Sequence, residues 1–166
     1  MTAGQALGGV PKSPPTRRSI PIARIPFDGP VGAPTRVFLH DLAKAGFRGE
    51  IDAGAAGRVV LATDNSIYQR LPQAVVYPRD ADDVACLARL LADPRHRQVS
   101  VAPRGGGTGT NGQSLTDGIV VDLSRHMNRI VEIDPANRRA RVQAGVVKDQ
   151  LNAELRPHGL FFAPEL

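Results

Sequence analysis

The sequence predicts an α+β fold built on a right-handed βαβ unit. Three observations carry this. First, two short apolar runs, Ala74 to Tyr77 and Val99 to Ala102, flank a stretch with helical periodicity, Ala81 to Ala92. Strand, helix and strand within about thirty residues is the span of a βαβ unit. Second, a compact apolar run, Gly118 to Asp122, follows a glycine-rich loop and reads as a further strand. Third, Ile130 to Ile133 and Ala140 to Ala144 are separated by Asp134-Pro135-Ala136-Asn137-Arg138, which reads as a hairpin loop between two strands.

A chain of 166 residues suits one ordinary domain. Apolar residues make up 42%, enough for a core, but aromatics are only 4% and Trp is absent, so Val, Leu, Ile and Ala must fill it. The net charge is +5, nearly all from Arg. These Arg residues are scattered and stacking aromatics are scarce, which argues for a basic surface with an anionic ligand and against nucleic-acid binding. The single cysteine, Cys86, excludes a disulfide framework or a cysteine-ligated metal within the chain, and reads as a small buried hydrophobe. Residues 1–15 lack the apolar centre of a signal peptide, and no window reaches about 18 apolar residues, so no transmembrane segment is expected. A cytoplasmic protein is the default reading.

In chain order, residues 1–34 hold Pro11, Pro14, Pro15, Pro21, Pro26, Pro30 and Pro34 with little periodicity, and read as a poorly ordered segment. Residues 35–72 read as a helical lead-in. Within it, Thr35 caps a helix that ends at Gly46, residues 47–57 form a turn-rich connection, and Thr63-Asp64-Asn65-Ser66 is a cluster of cap and turn residues. One helical turn carrying Ile67, Tyr68 and Leu71 is expected after it. Residues 73–166 form the main domain. Asp80 is the expected N-cap of the helix from Ala81, with acidic residues in its first turn, and Pro94 enforces its end. Ser124 to Asn128 reads as a turn, Val146 to Arg156 as a helix ended by His158-Gly159, and Leu160 to Ala163 as the start of another strand. The sequence stops just after that last run, so the chain reads as truncated on its C-terminal side.

The stretch with chemistry in it is Ala102 to Ser114, A-P-R-G-G-G-T-G-T-N-G-Q-S, in which five of thirteen residues are glycine. Exposed N–H groups in such a loop form an anion-binding concavity. Gly107-Thr108-Gly109-Thr110-Asn111-Gly112 matches G-x-G-x-x-G, but a dinucleotide fold of that type needs the motif to open a crossover helix. Only Gln113 to Asp117 separate it from the next strand, which excludes that reading. A Walker loop is excluded because no Gly-Lys-Ser/Thr follows. A flexible surface turn and a loop that binds pyrophosphate by its own N–H groups remain, and the second is favoured. Arg104, directly before the loop, is read as organising the loop or meeting a phosphate rather than as a surface charge. Thr108 and Thr110 either cap their own turn or face a ligand. His40, His96, His126 and His158 lie on separate stretches with no metal-ligand spacing, so neither a catalytic residue nor a metal site is assigned.

The runs P-R-G-G-G-T-G-T-N-G-Q-S, G-I-V-V-D-L-S-R-H-M-N-R-I and V-Q-A-G-V together resemble the vanillyl-alcohol-oxidase/p-cresol-methylhydroxylase family of FAD-dependent enzymes. Leu61 to Arg79 is similar to the bacterial FAD-linked D-2-hydroxy-acid dehydrogenases acting on D-lactate or D-2-hydroxyglutarate. The resemblance implies a PCMH-type FAD-binding fold, of which this chain holds the first βαβ-containing subdomain and the start of the second. It implies pyrophosphate binding by Arg104, Gly105, Gly106, Gly107, Thr108, Gly109 and Thr110, with Gln113 and Ser114 near the flavin or its ribityl chain. It also implies that Pro78 lies near the adenine end and that Gly145 and Val146 turn close to the nucleotide. Many relatives attach the flavin to a His of this loop. Gly105 to Thr110 contains neither His nor Cys, so a non-covalent FAD is expected. The resemblance further implies a 2-hydroxy-acid substrate and an electron-acceptor partner handled by later domains, an iron–sulfur cluster in a C-terminal half where one is present, and association with the inner membrane at most as a peripheral protein. The alternative is a stand-alone, non-catalytic flavin or nucleotide module.

Overall fold

A computed structural model describes residues 29–164. The expectation of a poorly ordered segment over residues 1–34 lies outside the described residues up to position 28. At its C-terminal side it is corrected, because helix α1 occupies Ala33–Lys44. The helix opens two residues before the expected cap. Pro34 suits its first turn, where a missing N–H removes no helical bond. Thr35 is buried instead of capping. Gly46 does end the segment, at φ 91°, a left-handed backbone that favours glycine.

The main sheet has four strands: β1 (Glu50–Asp52), β2 (Ala74–Tyr77), β3 (Val101–Arg104) and β4 (Ile119–Asp122). Their order is β1-β2-β4-β3, with β1 antiparallel to β2 and the other pairs parallel. Helix α2 (Ala55–Val60) lies between β1 and β2, and α3 (Ala81–Leu91) connects β2 to β3. The βαβ unit is therefore present, and β4 is inserted between its two strands. Every residue of β2 and β4 is buried, which explains their unbroken apolar sequence. Phe38, Leu39 and Leu42 of α1 and Cys86 and Leu87 of α3 pack on Ala74, Val76, Ile119 and Val121 in the main core. The lead-in thus shares the core of the sheet and supplies its strand β1.

Asp80 caps α3 as expected, its carboxylate accepting from the N–H groups of Asp82 and Asp83. Strand β3 runs two residues further than the reading Val99 to Ala102 and includes Pro103. Proline is tolerated there because β3 is an edge strand and needs ladder bonds on one side only. Strand β1 was not expected: three residues flanked by turn formers carry no periodicity. The expected helical turn at Ile67 to Leu71 is absent. Residues 65–67 bend without helix, and the chain folds back so that Thr63 and Gln69 form an antiparallel bridge.

A second, two-stranded sheet follows, with β5 (Ile130–Asp134) antiparallel to β6 (Arg139–Val142), then α4 (Lys148–Leu155). Asp134 accepts from Asn137 N–H and Nδ2 and closes the hairpin loop. Leu160 to Ala163 forms no strand. Asn152 of α4 holds this segment instead, its side chain bonding the N–H and carbonyl of Phe162.

Candidate functional site

The parallel register aligns Arg104 with Asp122 at the carboxyl ends of β3 and β4, and β2 ends beside them at Tyr77. Ligands of open parallel sheets bind outside this edge. Because β3 and β4 are parallel neighbours, the chain must return along the full length of the sheet between them, a task usually given to a helix. Here residues 105–118 make the return without one. The far end is anchored by Gln73, whose N–H donates to Gly118 O and whose Nε2 donates to Asp117 O.

The near end is held by the turn at residues 63–66. Arg104 Nη1 donates to Thr63 O at 2.8 Å, Asn65 N–H donates to Gly107 O at 3.0 Å, and Ser114 Oγ donates to Asp64 Oδ2 at 3.0 Å. Asp64 Oδ1 also accepts from Ser66 N–H. Hydrogen bonding from Ser66 is the main influence holding the Asp64 carboxyl below the usual carboxylate range; Ser114 and the Arg104 charge add to it. Gly107 has φ 68°, and a Cβ there would run into the Arg104 guanidinium. Arg104 therefore underlies the loop as a strut.

The N–H groups of Gly105, Gly106, Gly107, Thr108, Gly109 and Thr110 have no acceptor among the described residues. Six consecutive unpaired donors on an exposed loop form a cradle suited to a polyanion. The side chains of Thr108 and Thr110 are exposed and form no bond capping their own turn among the described residues. Gln113 is exposed, and its Oε1 accepts from Asn111 N–H. Ser114 is buried and committed to Asp64, so it supports the loop from behind. Gly145 sits where a Cβ would clash with the Leu123 carbonyl, and its N–H donates to Met127 O. This brings the turn at Ala144 to Val146 beside Gly105, whose Cβ position is 3.7 Å from Ala144 O. Val146 is half-buried. Pro78 is fully buried directly after β2.

The family model described as FAD binding domain matches residues 72–166, more than half of the chain. The chain belongs to the FAD binding domain family. Among curated proteins, D-2-hydroxyglutarate dehydrogenase of Pseudomonas putida is 72% identical over 129 residues, covering 78% of this chain and 13% of that protein. The Escherichia coli protein of the same name is 58% identical over the same span and coverage. A glycolate oxidase subunit, GlcD of Bacillus subtilis, is 38% identical over 116 residues, 69% of this chain and 24% of that one. The chain thus spans about an eighth of the length of the dehydrogenases it matches. Among solved structures, 6-hydroxy-D-nicotine oxidase from Arthrobacter nicotinovorans aligns with a TM-score of 0.58 and 31% identity, over 69% of this chain and 25% of that one. p-Cresol methylhydroxylase aligns at 0.59 with 15% identity, over 80% and 26%, and shows the shared fold. The PCMH-type α+β fold expected from the sequence is thus the fold observed.

FAD carries a pyrophosphate between its two halves, and the family's chemistry fits the residues present: the unpaired N–H run from Gly105 to Thr110 offers donors and contains no carboxylate. His96 is buried against Phe38, His126 bonds Glu50, and His158 lies in a short 3₁₀ turn after α4. Among the described residues no cluster of His, Cys, Asp and Glu could hold a metal, and no helix is long and apolar enough to cross a membrane.

Two contributors escaped the sequence reading. The turn 63–66 reads in sequence as cap and turn residues within a family-like stretch, and its distance from the loop in sequence gives no sign of contact. Glu50, in the unexpected β1, binds His126 and Arg125, and Arg125 lies over the Tyr77 ring at 3.8 Å. This clamps the segment after β4, on which Gly145 rests.

Proposed function

We propose that this chain holds FAD, without a covalent bond, for a flavoprotein dehydrogenase that oxidises a D-2-hydroxy acid to the 2-oxo acid, with D-2-hydroxyglutarate as the leading substrate. The observation that carries the reading is the run of unpaired N–H groups from Gly105 to Thr110 at the carboxyl edge of the sheet. The substrate class rests on identity to the named dehydrogenases. Gly105 to Thr110 take the pyrophosphate, and Thr108 and Thr110 add their hydroxyls. Arg104 and Ser114 hold the loop in shape, Gln113 faces the flavin side, Gly145 and Val146 line the cofactor from the second sheet, and Pro78 fixes the segment near the adenine end. Held by these residues, the flavin would supply the hydride acceptor for the oxidation. The proton of the substrate hydroxyl, the electron acceptor, any iron–sulfur cluster and any peripheral membrane contact belong to residues outside the stretch matched here.

The absence of His and Cys from Gly105 to Thr110 supports a dissociable flavin. On acid precipitation of the purified holoprotein, the yellow chromophore is expected in the supernatant; a yellow pellet would overturn non-covalent binding. With an artificial dye as acceptor, protein of the relatives' full length is expected to oxidise D-2-hydroxyglutarate, whereas the 166-residue chain alone is expected to bind FAD and turn nothing over. Robust turnover by the chain alone would contradict this division of labour.

A further inference from the structure

We propose that Asp64 is a positioning residue for the cofactor loop, holding its far limb through Ser114 while the turn that carries it holds Arg104 and Gly107. The inference rests on the reading of the loop as the FAD pyrophosphate cradle. A loop that replaces a crossover helix has no internal ladder of hydrogen bonds to keep its N–H groups convergent. In this fold the missing support comes from residues 63–66. Arg104 enters the loop and Ser114 leaves it, and both are tied to this one turn, at 2.8 Å and 3.0 Å, across separations of 41 and 50 residues. The turn bonds the loop between them as well, through Asn65 N–H to Gly107 O. Both Asp64 oxygens are used, one by Ser66 within the turn and one by Ser114 in the loop. Ser114 is buried, and its bond to Asp64 is partly shielded from solvent. Tyr68 completes the support: its ring backs Gly112, where φ is 74° and an added Cβ would come within 3.0 Å of the ring. Asp64 lies behind the cradle, and its effect on FAD is transmitted through loop shape.

The test is FAD affinity, measured by flavin fluorescence on apo-protein of wild type, Asp64→Ala, Asp64→Asn, Ser114→Ala and Asp64→Ala/Ser114→Ala, with the melting temperature of each apo form. Asp64→Ala and Ser114→Ala are each expected to weaken FAD by roughly tenfold, the loss of about one well-made hydrogen bond. The double variant is expected to be no weaker than Asp64→Ala alone, because that single change already removes the Ser114 bond. Asp64→Asn keeps an acceptor and is expected within about threefold of wild type. Bound flavin in the weakened variants is expected to show altered visible circular dichroism. The proposal is overturned if Asp64→Ala binds FAD as tightly as wild type, if the two single losses multiply in the double variant, or if Asp64→Asn is as weak as Asp64→Ala. A fall in apo melting temperature with unchanged affinity overturns it also, since that marks a purely structural role. If Asp64→Ala fails to fold, Ser114→Ala, which removes one hydroxyl, decides alone. Wild-type protein that binds no FAD would instead refute the cofactor reading itself.

Discussion

At the scale of single residues, the loop depends on positions where no side chain is accommodated. Gly107 combines a left-handed backbone with direct contact to the Arg104 guanidinium. Gly107→Ala therefore meets two obstacles: an αL conformation that disfavours Ala by about 1–2 kcal/mol, and displacement of the strut. Its expected signature is a loss of FAD affinity larger than the loss of stability, read by flavin titration against chemical denaturation. Acidic side chains show a second residue-scale effect. The Arg95 guanidinium and N–H both donate to Asp93, bringing its carboxyl down from 3.8 to about 2. A group depressed on folding adds stability that is complete above its unfolded value and disappears as pH falls through its folded value. The melting-temperature gap between wild type and Asp93→Asn is accordingly expected to be constant above about pH 5, to narrow below about pH 4 and to close near about pH 2.

At the scale of elements, legibility tracked how far each segment's own sequence decides its structure. Strands β2 and β4 are apolar because both faces are covered, and α3 announces itself by Asp80 and a regular apolar face. Those elements were readable. Strand β1 was not, since Glu50 and Asp52 flank a single apolar residue and only pairing with β2 makes it a strand. The reversal of the chain over residues 63–69 is hidden for a related reason: Ile67 is exposed, so its hydrophobicity falsely suggests a buried helical face. In the site, the glycine run was readable as an anion loop, whereas the partners of Arg104 and Ser114 were not, because a hydrogen bond across 50 residues leaves no local pattern. The loop itself offers a direct check. Its unpaired N–H groups are expected to exchange with deuterium near the intrinsic rate in apo-protein, while those of Ile119 to Val121 are protected; FAD should slow Gly105 to Thr110 selectively. Equal slowing across the whole sheet would indicate general stiffening instead.

At the scale of the whole molecule, the two sheets are linked through the loop after β3 and the turn after β6. The main sheet supplies the loop after β3, and the second sheet approaches it through Ala144 and Gly145, resting on the segment after β4 that Glu50, Arg125 and Tyr77 pin down. The order of the strands also dictates an order of events in time. β4 lies between β2 and β3 but is the last of the three to leave a ribosome. Were β2, α3 and β3 to assemble first, a slot one strand wide would stand between β2 and β3 until β4 arrived. Closing that slot is a late, non-local step of the kind that slows folding and leaves nascent chains prone to association. The glycine-rich loop is the tether that delivers β4 into the slot, so the cradle takes its shape as the sheet is completed.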